Sequence, residues 1–222
     1  MELTAGSSNR VLAPEGAHLA RCIRIIDLGT QVGEYEGKET KNRKIKFSFE
    51  LLGQTFFINE GEDDEREVVF TVHKEYTASI GPKASLGKDI TSWLGKKLDE
   101  TFIVESLLGK ECQVNVVTQT SKQGKEYTKI TGIMGIPAKM KVPKAENELI
   151  FFSLNEDEFD QEVYDEFSDW MKEVICKSPE AQKLGLEFEA SDKDEKPKAK
   201  AKAKGKASAP APTKGKGKKV PF

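Results

Sequence analysis

Residues Arg43 to Leu52 alternate strictly: Ile45, Phe47, Phe49 and Leu51 fall on one side, Lys44, Lys46, Ser48 and Glu50 on the other. A period of two excludes a helix and puts four large apolar side chains on one face of an extended strand, which then needs a second layer to cover it. The rest of the first 150 residues repeats this habit. After a turn at Pro14-Glu15-Gly16, Ala17 to Leu28 predicts a strand, as do Val68 to Tyr76, Glu111 to Thr118 (Cys112, Val114 and Val116 on one face) and Glu126 to Met134. Polar connections separate them: Gly29 to Asn42 with Gly33 and Gly37, an acidic loop over residues 59–65, and a hairpin loop from Gln119 to Lys125. One segment breaks the pattern. Lys83 to Leu94 carries Leu86, Ile90, Trp93 and Leu94 at helical spacing, and Gly95 stops it.

Three strands, a helix and two strands in this length match the element order of an OB-fold, a five-stranded barrel with one helix between strands three and four. An immunoglobulin-like sandwich needs more strands and no such helix. A doubly wound fold needs helices after most strands. The expected class is therefore mainly β, with the barrel over residues 14–149 after a flexible N-terminus at 1–13.

Two further segments follow, set apart by charge. Residues 150–195 hold 4 Lys and 15 acids, whereas residues 196–222 hold 10 Lys and none, so the net charge of −2 conceals strong segregation. In the acidic segment, 150–191, Phe159, Val163, Phe167, Trp170, Met171, Val174 and Ile175 follow three- and four-residue steps, which predicts one helix from Leu154 to Ile175 capped by Asn155 or Asp157. Ser178-Pro179-Glu180 predicts the start of a second, short one. This segment would pack on the core, present an acidic face to a partner protein, or mimic phosphate and compete for a basic groove. The last stretch, 192–222, is dominated by the run from Lys196 to Lys219, built mainly of Lys, Ala, Gly and Pro with no apolar side chain large enough to build a core, and is expected to be a disordered tail. Such a polycation attracts a polyanion through counterion release, or covers the acidic segment before it. Its apolar tip, Val220-Pro221-Phe222, reads as a short docking motif for a partner.

Catalytic patterns are absent. The chain has no phosphate-binding loop, nucleophile elbow or metalloprotease helix, and His18 and His73 are 55 positions apart. Cys22, Cys112 and Cys176 form no metal-ligand pair, and Glu60, Glu62, Asp63, Asp64, Glu65 and Glu67 lack the spacing of a calcium loop. No enzyme, metal, cofactor or small-molecule substrate is expected. Unpaired cysteines, the lack of a secretory pattern over Met1 to Arg10 and the lack of a spanning apolar run suggest the cytoplasm, with no membrane contact.

The barrel offers cations interleaved with rings, the chemistry that holds single strands: cations follow phosphates while aromatics stack on bases. In an OB-fold the groove crosses strands two and three between the loops that join strands one and two and strands four and five. Those places hold Tyr35, Lys38, Lys41, Arg43, Lys44 and Lys46 on one side, and Lys122, Lys125, Tyr127 and Lys129 on the other. Lys74 and Tyr76 close the third strand, and Arg21 and Arg24 lie on the first. Tyr35 and Tyr127 are the expected stacking rings, while Phe47, Phe49 and Trp93 are expected in the core.

Several of these stretches are familiar. Pro14-Glu15-Gly16 followed by the run from Arg21 to Gln31, Lys74-Glu75-Tyr76-Thr77, Trp93-Leu94-Gly95-Lys96, Leu107-Leu108-Gly109-Lys110 and the later Ser178-Pro179-Glu180 together resemble phage-encoded single-stranded DNA-binding proteins of OB-fold type that support replication and recombination. The resemblance covers about residues 14–137. It implies a protein of the bacterial host cytoplasm that coats and protects single-stranded DNA with little sequence preference and recruits a polymerase, helicase or recombinase. Val220-Pro221-Phe222 also resembles the apolar tip of bacterial single-strand binders, except that Lys218 and Lys219 stand where acids usually precede it. Two rivals remain: an interaction adaptor whose DNA contact is incidental, and a duplex-coating protein driven by its tail.

Overall fold

The computed structural model describes residues 11–59, 64–81, 83–137 and 140–188. The chain divides into two units at Ser191, and every described residue belongs to the first, Met1–Ser191. The Lys-rich tail, its tip Val220, Pro221 and Phe222, the start of the N-terminus and Glu60, Glu62 and Asp63 lie outside the described residues.

The fold is mainly β, a curled antiparallel half-barrel with few helices. Its strands are β1 (Gly16–Tyr35), β2 (Lys38–Ile58), β3 (Arg66–Thr77), β4 (Glu111–Thr120) and β5 (Glu126–Met134), hydrogen-bonded in the order β3-β2-β1-β4-β5. A short β6 (Ile150–Phe152) adds parallel to β1 beside Arg24, Ile25 and Ile26. Helix α1 (Ser85–Leu94) follows β3 and ends at Gly95, which takes a left-handed φ of 65° and donates its N–H to the Thr91 carbonyl. The C-terminal part contributes α2 (Gln161–Asp165), α3 (Asp169–Cys176) and α4 (Pro179–Lys183). No helix among the described residues is long and apolar enough to cross a membrane.

Two sequence expectations need correction. Residues 29–42 are not a loop. β1 and β2 stay paired through Tyr35 and Lys38, and the chain reverses at Glu36 and Gly37, whose φ values of 51° and 75° suit the tight turn of a two-residue hairpin. Backbone ladder bonds build this arm, and apart from Val32 and Tyr35 its residues are polar or glycine, so no apolar alternation marks it.

Nor is 154–175 one helix. Asp160, rather than Asn155 or Asp157, caps α2 by accepting from the N–H groups of Glu162 and Val163 at 2.9 and 3.2 Å. The helix then breaks at Glu166 to Ser168 before α3 begins. Ser178 does cap α4 as expected, accepting from Ala181 N–H at 3.2 Å with Pro179 in the first turn.

β1 has apolar side chains on both faces. Ala20, Cys22 and Ile25 join Phe47, Phe49, Leu51, Val72, Ile90, Trp93, Val114 and Ile130 in the inner core of the half-barrel. Ile26 and Leu28 face the other way and are covered by Phe152, Leu154, Tyr164, Ile175 and Ala181. Each Val, Leu, Ile or Phe among them, fully buried, contributes about 1.5–3 kcal/mol. Residues 150–188 therefore roof the outside of β1 with a second core. The register slips at Cys22/Arg24 and Asp27/Gly29 are β-bulges, which bend the strand and re-aim its side chains.

Candidate nucleic-acid interface

Residues paired across an antiparallel ladder share a face. Ile45, Phe47 and Phe49 point inward, so the outer face of the β1–β2–β3 region carries three rows: Arg24, Ser48 and His73; Ile26, Lys46 and Glu75; Gly29, Lys44 and Thr77. Ser48 and His73 hydrogen-bond at 2.9 Å, and Lys44 Nζ donates to Thr77 Oγ1 at 3.0 Å. Arg24 is exposed, whereas Lys46 is half-buried, and its ammonium lies 4.7 Å from the ring centroid of Trp170 on α3. Burial lowers the Lys46 pKa, with Glu75 across the ladder opposing the shift.

Two hairpins carry further cations. On the β1–β2 arm, Lys38 and Lys41 are exposed, Lys41 pairing with Glu39 at 3.4 Å. Tyr35 pairs with Lys38 through its backbone, and its side chain lies outside the described set. On the β4–β5 hairpin, Lys122, Lys125 and Lys129 are exposed and Tyr127 is 38% exposed. The Tyr127 hydroxyl and Lys129 Nζ both donate to Gln119 Oε1, at 3.1 and 3.2 Å, which orients the ring while leaving it open to water.

Four predicted contacts are engaged elsewhere. Tyr76 is 3% exposed, so it is not available for stacking on a base; its ring packs edge-on against Phe47 at 5.5 Å. The Tyr76 hydroxyl and Lys74 Nζ both donate to Asp89 Oδ2 at 2.7 Å, tying β3 to α1. Burial, then the Asp89 bond, pushes the Tyr76 phenol upward. The register explains it: on β3, Phe70, Val72, Lys74 and Tyr76 occupy the inward positions. Arg21 pairs with Glu111 at 3.3 Å.

Arg43 is bound by Asp27. Its Nε donates to both Asp27 oxygens at 3.2 and 3.1 Å, its Nη2 bonds Asp27 Oδ2, and Nη2 also donates to Asn155 Oδ1 at 3.0 Å. The hydrogen bonds that Arg43 donates to Asp27, against the effect of burial, raise the Arg43 pKa. Asp27 in turn accepts the N–H groups of Gly29 and Leu154 at 2.9 and 3.3 Å.

The familiar motifs at Asp27 to Gln31 and at Ser178 to Glu180 thus meet in space. Glu180 accepts the Thr30 N–H at 2.8 Å and its hydroxyl at 2.6 Å, while Gln31 Nε2 donates to the Val174 carbonyl at 3.0 Å. They lock the C-terminal helices to β1 and leave few groups free to meet a ligand. Nearby, Glu50 is 1% exposed and accepts the N–H groups of Glu146 and Asn147 at 2.8 Å, so the chain leading to β6 also crosses the outer face.

Arg24, Lys44 and Lys46 are accordingly the sequence-predicted cations that share the outer face. Lys122, Lys125, Tyr127 and Lys129 form a second group, and Lys38 and Lys41 a third. Trp170 was expected in the apolar helix stripe, yet it is 54% exposed. Phe167, Met171, Val174 and Ile175 complete that stripe without it. Trp170 falls about 100° around the helix from Met171, a clue already present in the spacing. No family model matches the chain, and no curated protein compared with it matches either.

Proposed function

We propose that this protein is a non-enzymatic single-stranded DNA-binding protein that coats unpaired strands with little sequence preference during phage replication and recombination and recruits enzymes of those processes. The observation that carries this reading is Tyr127, half-open and held by Gln119 among Lys122, Lys125 and Lys129. A ring that water can reach, beside cations on a hairpin held by a β ladder, is the pairing that holds bases and phosphates together.

The element order, with α1 between β3 and β4, supports an OB-like five-stranded barrel to which β6 is an addition. β3 and β5, the two ends of the hydrogen-bonded order, come into contact, and α1 packs against both. Arg24, Lys44 and Lys46 then line the outer face where such barrels take single strands.

The test is a titration of end-labelled oligo-dT, against duplex of equal length, at two salt concentrations. Tighter binding of the single strand, weakening with salt, supports the reading; equal or stronger duplex binding rejects it. A second reading, an interaction adaptor, is favoured by the exposed acids of the C-terminal helices, among them Glu162, Asp165, Glu166, Asp169 and Glu173. Co-precipitation of a replication enzyme from nuclease-treated extract, without affinity for oligo-dT, would select it.

A further inference from the structure

The chain has two tryptophans in opposite circumstances. Trp93 is 5% exposed, packs on Phe49 at 5.8 Å and donates its indole N–H to the Glu111 carbonyl at 2.8 Å. Trp170 is 54% exposed, and Lys46 approaches one face of its ring. A lone exposed apolar residue is ordinary on a protein surface and carries no meaning by itself. Its position supplies the meaning. α3 packs the buried Ile175 and the half-buried Met171 and Val174 into the cluster around Ile26 and Leu28 of β1, and this leaves Trp170 beside the outer face of β2, in reach of the half-buried Lys46 ammonium. Lys44 and Arg24 lie on the neighbouring rows of the same face. A cation against an indole strengthens with desolvation, and it holds the ring in place from one side.

We propose that Trp170 is a stacking platform for an unpaired base, so that the acidic C-terminal helices form one wall of the single-strand site. This rests on the reading of the chain as a single-strand binder and assigns it a contact that lies outside the barrel strands. One ligand would use both features at once: its base on the indole, and its flanking phosphates toward Lys46, Lys44 and Arg24. Glu75, opposite Lys46, and Asp169, next to Trp170, oppose the phosphates, so the contact depends on the ring more than on net charge. An acidic protein surface would satisfy the cations and leave the ring without a stacking partner.

The experiment uses the full chain with oligo-dT and two independent readouts, intrinsic tryptophan emission and anisotropy of the end-labelled strand. Because Trp93 is buried, saturating oligo-dT should quench emission from Trp170 alone. Trp170→Phe should lose that quench while keeping most of the affinity. Trp170→Ala should bind about tenfold more weakly, within the range measured for single stacked bases. Circular dichroism melting of both variants separates a lost contact from a loosened helix, since Phe retains the packing volume.

Binding by anisotropy with no quench, and an unchanged Kd for Trp170→Ala, would overturn the inference and leave the single-strand reading intact. Absence of any oligo-dT binding by the wild type would overturn both. Unchanged oligo-dT affinity together with loss of a co-precipitating protein in Trp170→Ala would make the ring a protein contact and overturn it as well.

Discussion

The Glu180 carboxylate receives both the backbone N–H and the hydroxyl of Thr30, at 2.8 and 2.6 Å, across 150 positions of sequence. The contact fixes α4 to β1. Burial disfavours the charge on Glu180, but the two Thr30 bonds, with Arg43 nearby, outweigh it and hold the carboxyl below its ordinary value. A carboxyl whose folded pKa lies below its unfolded one stabilises fully above about pH 4.3 and loses that contribution as pH falls through the folded value. Glu180→Gln should therefore cost about 1–2 kcal/mol at neutral pH and less at pH 3. Urea unfolding at several pH values checks this; an equal loss at both ends of the range would refute it.

Gly29 sits at a bulge with φ of 70°, and a Cβ placed there would overlap the side chain of Ser178 and lie 3.0 Å from Leu154 Cδ1. Both the backbone angle and the space exclude larger residues. Gly29→Ala should lose about 2 kcal/mol or more, a fall in Tm of roughly 4–8 °C for a fold of this size. A thermal melt within one degree of wild type would show that α4 has room to retreat.

Arg43 and Tyr127 should part company. Arg43→Ala leaves the 8%-exposed Asp27 with only backbone donors, so about 2–3 kcal/mol of stability should go while oligo-dT affinity of the folded variant changes less than about twofold. Tyr127→Ala should do the reverse: melting barely moves, and single-strand affinity falls about 10- to 100-fold. If both lose affinity alike, Arg43 reaches the strand despite Asp27.

Deleting residues 196–222 removes ten lysines. Each phosphate the tail neutralises should contribute about 0.7 to the slope of log K against log salt for single strands. The truncated chain should bind more weakly and with a flatter salt dependence. An identical slope would exclude the tail from the contact.

Sequence legibility followed apolar contrast. Arg43 to Leu52 was readable because Phe47 and Phe49 alternate with Lys46 and Ser48, and α1 because Leu86, Ile90 and Trp93 share one face. The arm at 29–42 has no such contrast and is held by backbone bonds, so it read as loop. Lys74 and Tyr76 end the third strand as a cation and a ring, which does not reveal that both lie on the inward side and bond Asp89. The stripe from Phe159 to Ile175 continues across three-dimensional breaks, since short helices roofing one strand all need apolar residues at similar steps. The partnership of Asp27 with Arg43, or Thr30 with Glu180, has no periodic signature at all.

β1 supports a core on each side, and the two sides are completed at very different moments of synthesis. Ile26 and Leu28 leave the ribosome early, while Phe152, Leu154, Tyr164 and Ile175 follow well over a hundred residues later. At about 5–20 residues per second, that interval lasts on the order of ten seconds. Throughout it the nascent chain carries an uncovered apolar strip, so its yield in cells should respond to translation speed and to chaperone supply.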